Sequence, residues 1–343
     1  MPYPTLAGPP SPSPGKEGGL WTEESIPLPE AAPGGHPQPR ISIVIPSYNQ
    51  AAYLETAICS VLDQNYPDLE LIVVDGGSTD GSPAIIQKYA PRLAWWVSQP
   101  DRGQSHAINR GFARCTGQII TFLSADDYYL PGTLHHVARN WAQAPHHGAI
   151  IGAFRFLDAG QLSEPVMPHL ATPAPVDLSL GPPGTYRLHQ VATFYSRAAL
   201  DAVGRHVRED LHYVMDRELL YRVLRQYPVL LISRPYGVFR RHPEAKTADI
   251  LPFAREFARL YRLSRTGHPA HDHRRERMAR YRLARGYMKL ANQATAPRTR
   301  WTALLRALLA APRHTLRPSS LRFWLRTLAQ GGRSREQGAG SRK

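Results

Sequence analysis

Cysteine is scarce in this chain of 343 residues: only Cys59 and Cys115 occur. Two thiols can form neither a disulfide framework nor a four-ligand zinc site, and they point to a reducing, cytoplasmic setting. No apolar run reaches about 18 residues, so no transmembrane helix is expected. The first residues lack the charged start and continuous apolar core of a signal peptide. Neither G-x-x-x-x-G-K-[ST] nor G-x-G-x-x-G occurs, which excludes a P-loop and a dinucleotide fingerprint. Acidic residues thin out toward the C-terminus. From Leu251 onward, 22 Lys and Arg stand against 4 Asp and Glu, whereas the first 250 residues carry 20 against 23. The net charge of +15 therefore belongs to the last part of the chain, and only there does charge bear on nucleic acid or membrane partners.

What is present falls into three regions. Residues 1–40 are dense in Pro and Gly, have no apolar periodicity and predict a disordered tail. Residues 41–250 hold the main domain, and 251–343 a basic helical extension. In the main domain, "ISIVI" from Ile41 reads as a strand buried on both faces. In the following "AAYLETAICSVLDQ", Leu54, Ala57, Ile58, Val61 and Leu62 recur at helical spacing. Strands over 69–75, 93–98 and 118–124 alternate with helices over 82–90 and 103–114. Such alternation predicts an α/β fold with a mostly parallel sheet. Ligands of these sheets bind beyond the carboxyl ends of the strands. There lie "PSYN", "DGGSTDG", "QPDRGQ" and "SADD". Further strands are predicted over 148–158, 190–196 and 228–233, and an amphipathic helix over 215–226. The Arg-rich helical pattern from Phe253 is broken near its end by Pro312 and Pro318.

Individually these motifs stay ambiguous. Asp75 with Gly76, Gly77 and Ser78 forms either a pocket for a base or ribose, or a Gly-rich turn with Ser78 or Asp80 capping a helix. Asp126 and Asp127, at another strand end, form either a hard-cation site, or an acidic turn or helix N-cap before "PGTLHHVARNW". Asp216 in "YVMDRELL" starts a helix with Glu218 nearby and reads by itself as an N-cap, which does not exclude a further role. Ser105 and His106 are adjacent on a helix and point in different directions, so they do not make a hydrolase pair.

Taken together, "IPSYN", "VVDGGSTDG", "QPDRGQSHAINRG", "FLSADD" and "LPGTL" closely resemble the family 2 glycosyltransferases over about 41–142. The resemblance continues more weakly through "HQVATFYSRAAL", "LHYVMDRELLYRV" and "RRHPEAKT" to about residue 250. It implies a GT-A fold, Rossmann-like with helices flanking the sheet, a nucleotide-sugar donor and Mn2+ or Mg2+. By position, it implies that Pro46, Tyr48 and Asn49 lie at the base and ribose. It implies that Asp75 binds the base, usually uracil, in a pocket shaped by Gly76 and Ser78. Asp101, Arg102, Gly103 and Gln104 then face the ribose and donor sugar, with Asn109 in support. Asp126 and Asp127 resemble the family's DxD-type pair, Asp127 as metal ligand and Asp126 toward ribose or sugar. Asp216 stands at the catalytic base of an inverting displacement. His242 stands as a further metal ligand and Lys246 as a diphosphate contact.

Two departures qualify the match. His106 falls where relatives often carry a small or acidic residue. The Q-x-x-R-W motif of processive synthases is missing, so the resemblance is to a non-processive enzyme adding one sugar. The expected acceptor is a glycan or lipid-linked glycan of the cell surface. The alternatives are a sugar-phosphate nucleotidyltransferase, which would need a basic triphosphate loop absent from "IPSYNQ", and a non-catalytic nucleotide-sugar-binding relative. In the extension, "WTALLRALLAAP" and "SLRFWLRTLAQ" are short, cationic and amphipathic. They either touch an anionic membrane through 300–330 or pack on the domain. The first option places the enzyme peripherally at the inner face of the plasma membrane. No nucleic-acid recognition module occurs, so no nucleic acid partner is expected.

Overall fold

A computed structural model describes residues 38–144, 146–170, 186–246, 250–264, 267 and 269–316. The tail expected over 1–40 lies outside these residues as far as 37, as do Pro318 and the segment 320–330. The described chain forms two compact units, one running to His242 and the other starting at Pro243.

The strands of the first unit are β1 (Ile41–Ser47), β2 (Leu69–Asp75), β3 (Trp95–Ser98), β4 (Ile119–Phe122), β5 (Tyr128–Tyr129), β6 (Ala149–Asp158), β7 (Gln161–Leu162), β8 (His169–Leu170), β9 (Tyr186–Arg187), β10 (Thr193–Ser196) and β11 (Val229–Arg241). Its helices are α1 (Ala51–Leu62), α2 (Ser82–Tyr89), α3 (Gln104–Phe112), α4 (Thr133–Gln143), α5 (Arg197–Ala202) and α6 (Met215–Leu224). Among the described residues the main sheet runs β3-β2-β1-β4-β10-β6-β11-β5, with β7 on β6, and β8 pairs separately with β9. Strands β3, β2, β1 and β4 are parallel, while β10 runs antiparallel to both β4 and β6.

Every residue of β1 is buried, as its unbroken apolar run requires of a central strand flanked on both faces. The five apolar residues spaced helically in α1 are all buried. They pack with Ile43, Ile45, Val73, Leu123 and Phe194 in one core. That core fixes the sheet, and with it the positions of the loops at the strand ends.

Two elements differ from the sequence expectation for physical reasons. The segments "PVLLIS" and "GVFRR" form one strand of 13 residues, β11. It stays continuous by shifting register against β6 on either side of Pro235. Proline cannot donate to a ladder and is tolerated at such an irregularity. Second, neither Asp126 nor Asp127 caps α4. The chain first enters β5, which pairs with Gly237 and Val238, and α4 begins after Gly132 in the left-handed conformation (φ 72°).

The second unit is helical: α7 (Ile250–Leu263), α8 (Pro269–Gln293), α9 (Pro297–Ala310) and α10 (Pro312–Thr315). A Cβ at Gly286 would sit 2.5 Å from Ala254 Cβ, which marks how closely α8 approaches α7. Ala291, Ala303 and Leu304 form a small core between α8 and α9. Among the described residues no helix is long and apolar enough to cross a membrane.

Gly152 in β6 tests the packing. A Cβ there would lie 2.2 Å from the buried Tyr236 ring. Gly152→Ala is expected to lower stability by about 1–3 kcal/mol in urea unfolding; an unchanged midpoint would contradict this close approach.

Candidate active site

Parallel register brings three strand ends to one rung: Ser47, Asp75 and Ser98 are partners across β1, β2 and β3. Asp75 is fully buried. Its carboxylate accepts hydrogen bonds from Ser98 Oγ at 2.7 Å and from the Ser78 backbone N–H at 2.9 Å, and Ser78 Oγ donates to it as well. Three donors hold a buried carboxylate in one orientation. Ser78 Oγ also accepts from the Asn49 N–H at 2.7 Å, and Asn49 Oδ1 accepts from the Thr79 N–H at 2.9 Å. The loops after β1 and β2 are thereby tied together. Gly77 has φ +81°, and a Cβ there would lie 2.8 Å from Pro100 N, so only glycine fits. A Cβ on Gly76 would lie 3.2 Å from the Asp101 carboxylate, which accepts from the Gly103 N–H at 2.7 Å. Pro46 is buried within β1, whereas Tyr48 is 61% exposed.

Around the start of α3 the contacts are mainly structural. Asn109 bonds the backbone of Val207 in both directions, at 2.9 and 2.8 Å. Its amide also donates to Glu209 at 3.2 Å. Arg102 pairs with the same Glu209 at 2.8 Å, and that hydrogen bond holds the Glu209 carboxyl below its ordinary range. Gln104 Nε2 donates to Ser124 Oγ at 3.5 Å. The segment 207–211 is thus moored to α3, with Ser105 Oγ donating to Leu211 O at 2.8 Å.

The acidic pair follows β4. Asp127 is buried, and its Oδ1 accepts from the Arg240 backbone N–H at 3.0 Å. Burial first, then the charge of Asp126, pushes the Asp127 carboxyl well above the usual carboxylate range, against the pull of Arg240. Asp126 Oδ2 lies 3.2 Å from His242 Nε2. The His242 ring packs 4.6 Å from the Tyr53 ring, and the Arg240 guanidinium lies 4.9 Å from Tyr53 and 5.4 Å from Tyr128. Tyr53 sits in the first turn of α1, just after Asn49. The start of α1 therefore follows the loop tied to the Asp75 pocket and packs against His242 and Arg240, the residues that contact the acidic pair.

Asp216 occupies the second position of α6, whose N-cap is Val214, so it is not the cap residue. It lies 3.7 Å from Arg217. Burial, then Arg217 and Arg241, pushes the His189 imidazole down to about 3, so this ring is neutral. His189 packs 4.6 Å from Phe239, the neighbour of Arg240. Lys246 is exposed and belongs to the second unit.

The sequence reading missed Ser98, Tyr53, Arg240 and Glu209 as parts of this region. None of the four carried a local signal, whereas Gly77 was marked by the glycine pair after a strand-ending Asp. Among the described residues no three His, Cys, Asp or Glu side chains form a metal-ligand cluster. His242 contacts Asp126 rather than Asp127. Two carboxylates and an imidazole still suit Mg2+ or Mn2+, because these ions take most remaining ligands from substrate phosphates and water. His242 Nδ1 is buried without a hydrogen-bond partner, and a cation would relieve the repulsion that burdens Asp127.

Comparison with known proteins decides the family. Residues 42–204 match the model of glycosyl transferase family 2. This unit carries a family 2 glycosyltransferase domain. An uncharacterised glycosyltransferase of Nostoc sp. is 38% identical over 35% of this chain and 37% of its own length. A GalNAc(5)-diNAcBac-PP-undecaprenol beta-1,3-glucosyltransferase of Campylobacter jejuni is 34% identical over 28% of this chain and 32% of its own length. The chain thus spans about a third of the length of these relatives. Among solved structures, residues 1–349 of S. aureus TarS with UDP-GlcNAc align with a TM-score of 0.58 at 16% identity, covering 88% of this chain and 93% of that one. The mannosyltransferase PcManGT of Pyrobaculum calidifontis, in complex with GDP-Man and Mn2+, aligns with a TM-score of 0.53 at 19% identity, covering 88% and 89%. The fold of the glycosyltransferase domain is GT-A.

Asp127 offers a test that needs no substrate. A carboxyl raised above its unfolded value stabilises the fold only while protonated, so its contribution is lost as pH rises above about 4. Asp127→Asn keeps the acceptor for Arg240 and removes the charge. It is expected to raise Tm at neutral pH, by about 2–4 °C per kcal/mol relieved, and to equal wild type below about pH 4. A lower Tm at neutral pH would contradict the strained carboxylate.

Proposed function

We propose that the protein is an inverting glycosyltransferase that moves one sugar from a nucleoside-diphosphate donor, a UDP-sugar, to a hydroxyl of a glycan or lipid-linked acceptor. The carrying observation is that the Asp75 pocket and the Asp126–Asp127–His242 group share the start of α1. A base held by Asp75, beneath the exposed Tyr48 and beside Asn49, leaves its diphosphate pointing along the sheet edge toward the acidic group. Arg102 and Gln104, at the start of α3, stand to contact ribose and donor sugar, and Asp101 holds the turn that presents them.

A divalent cation held by Asp127 with Asp126 and His242 supplies neutralisation of charge on the departing diphosphate. Asp216 takes the proton of the acceptor hydroxyl as that oxygen attacks the anomeric carbon. It lies in the first turn of α6, after the cap residue Val214, with Arg217 3.7 Å away. The UDP-GlcNAc complex of TarS and the GDP-Man and Mn2+ complex of PcManGT support a nucleotide-sugar donor and a divalent ion. The undecaprenol-linked acceptor in the Campylobacter jejuni relative's name supports a lipid-linked acceptor. With such an acceptor, the enzyme works at the cytoplasmic face of the plasma membrane.

A thermal-shift screen of nucleotide-sugars with Mn2+ is expected to show stabilisation by a UDP-sugar that Asp75→Ala abolishes. Stabilisation that survives Asp75→Ala would remove the base assignment. Asp216→Asn is expected to lower kcat by about 100- to 10,000-fold while donor binding stays as in wild type. Near-normal turnover in that variant would move the base elsewhere.

A further inference from the structure

In the second unit, α9 buries one face and leaves another bare. Ala303, Leu304 and Ala307 are buried, whereas Trp301, Leu305 and Leu309 are 55%, 57% and 72% exposed. The exposed three recur every four residues, so they form one stripe along the helix. Leu316, just past α10, is 59% exposed. Exposed Arg298 and Arg306 flank the stripe. Isolated exposed apolar residues are ordinary, but an aligned Trp–Leu–Leu stripe between arginines is the pattern of a helix lying in a membrane interface.

Ala310, the residue after Leu309, lines a cavity of about 1050 Å³ between α8 and the α9–α10 turn. Met278, Ala310 and Ala311 give it apolar walls, and Arg274, Arg277, Arg280 and Arg313 line it. Its one acid, Glu276, is taken by Arg262 at 3.0 Å and by Arg280 at 3.3 Å. Arg277 and Arg313 have no ion-pair partner among the described residues. The cavity therefore offers positive charge beside hydrocarbon, next to a hydrocarbon stripe.

From this juxtaposition we infer that the second unit binds membranes containing anionic phospholipid. Trp301, Leu305 and Leu309 enter the interface, and a lipid phosphate sits between Arg277 and Arg313. A free phosphate would use the cavity and leave the stripe in water. A nucleic acid would meet the arginines but gain nothing from two aligned leucines. An anionic phospholipid satisfies both features. This deepens the peripheral placement proposed above, yet it stands apart from sugar transfer, because vesicle binding is read without donor or acceptor.

The test is co-sedimentation of the full chain with vesicles of phosphatidylglycerol and phosphatidylcholine, against phosphatidylcholine alone. Binding is expected only with the anionic lipid. Leu305→Asp with Leu309→Asp, and separately Arg277→Glu with Arg313→Glu, are each expected to weaken it about tenfold or more. The milder Arg277→Gln with Arg313→Gln is expected to weaken it less, with an unchanged thermal transition that separates binding from misfolding. Failure of wild type to bind, or wild-type binding by both charge-reversed and leucine variants, would overturn the proposal. So would full release by excess inorganic phosphate at constant ionic strength, which would mark a simple phosphate site. Tighter binding to an RNA homopolymer, unaffected by the leucine changes, would mark a nucleic-acid surface instead. Loss of binding on deleting 317–343, with the leucine variants still binding, would shift the activity to that segment and equally overturn it.

Discussion

The rung formed by Ser47, Asp75 and Ser98 is the constraint on which the site depends. Parallel pairing sets three strand ends level, and a buried carboxylate at the middle position needs donors that the fold must supply. Ser98 and Ser78 supply them. In doing so Ser78 engages Asn49, so the β1 loop cannot move without breaking the hydrogen-bond chain that ends on the buried Asp75. Leaving one member unsatisfied would cost about 1–3 kcal/mol. Rigidity at the pocket is thus a consequence of satisfying a buried charge, and α1 inherits its starting point from it.

The acidic pair shows the opposite economy. Asp127 is buried next to a like charge, and its raised carboxyl marks a site held in an unfavourable state by the surrounding core. Such local frustration is where binding chemistry concentrates, since a cation that relieves it gains affinity from the fold. Tyr53 couples the two halves. Its ring lies against His242 and below Arg240, and it stands one helical turn from Asn49. A nucleotide that orders the first half therefore meets a second half already positioned by the same helix.

Much of this was legible locally. The strand "LELIVVD" was read with its observed bounds, because an unbroken apolar run ending in Asp-Gly-Gly has few other solutions. The α1 stripe was equally clear from spacing. Ser98 was not, because a serine at the end of a short strand carries no signal until register places it beside Asp75. Arg240 and Tyr53 lie far from Asp126 and Asp127 in sequence, and no local pattern announces a contact across 113 residues. The N-cap alternative for the acidic pair failed for the same reason. It depended on the residues that follow, and these join a strand whose partner is Gly237 and Val238. Asn109 bonds the Val207 backbone and the Glu209 carboxylate, partners about a hundred residues away that no local pattern announces.

The central claim is that one nucleotide diphosphate spans the Asp75 pocket and the acidic pair through a divalent ion. A manganese anomalous-difference map from crystals grown with UDP and Mn2+ addresses it directly. The account predicts a single manganese peak shared by the diphosphate and the Asp126–Asp127 carboxylates, with the base against Asp75. A peak remote from both carboxylates, or a nucleotide bound away from Asp75, would contradict it.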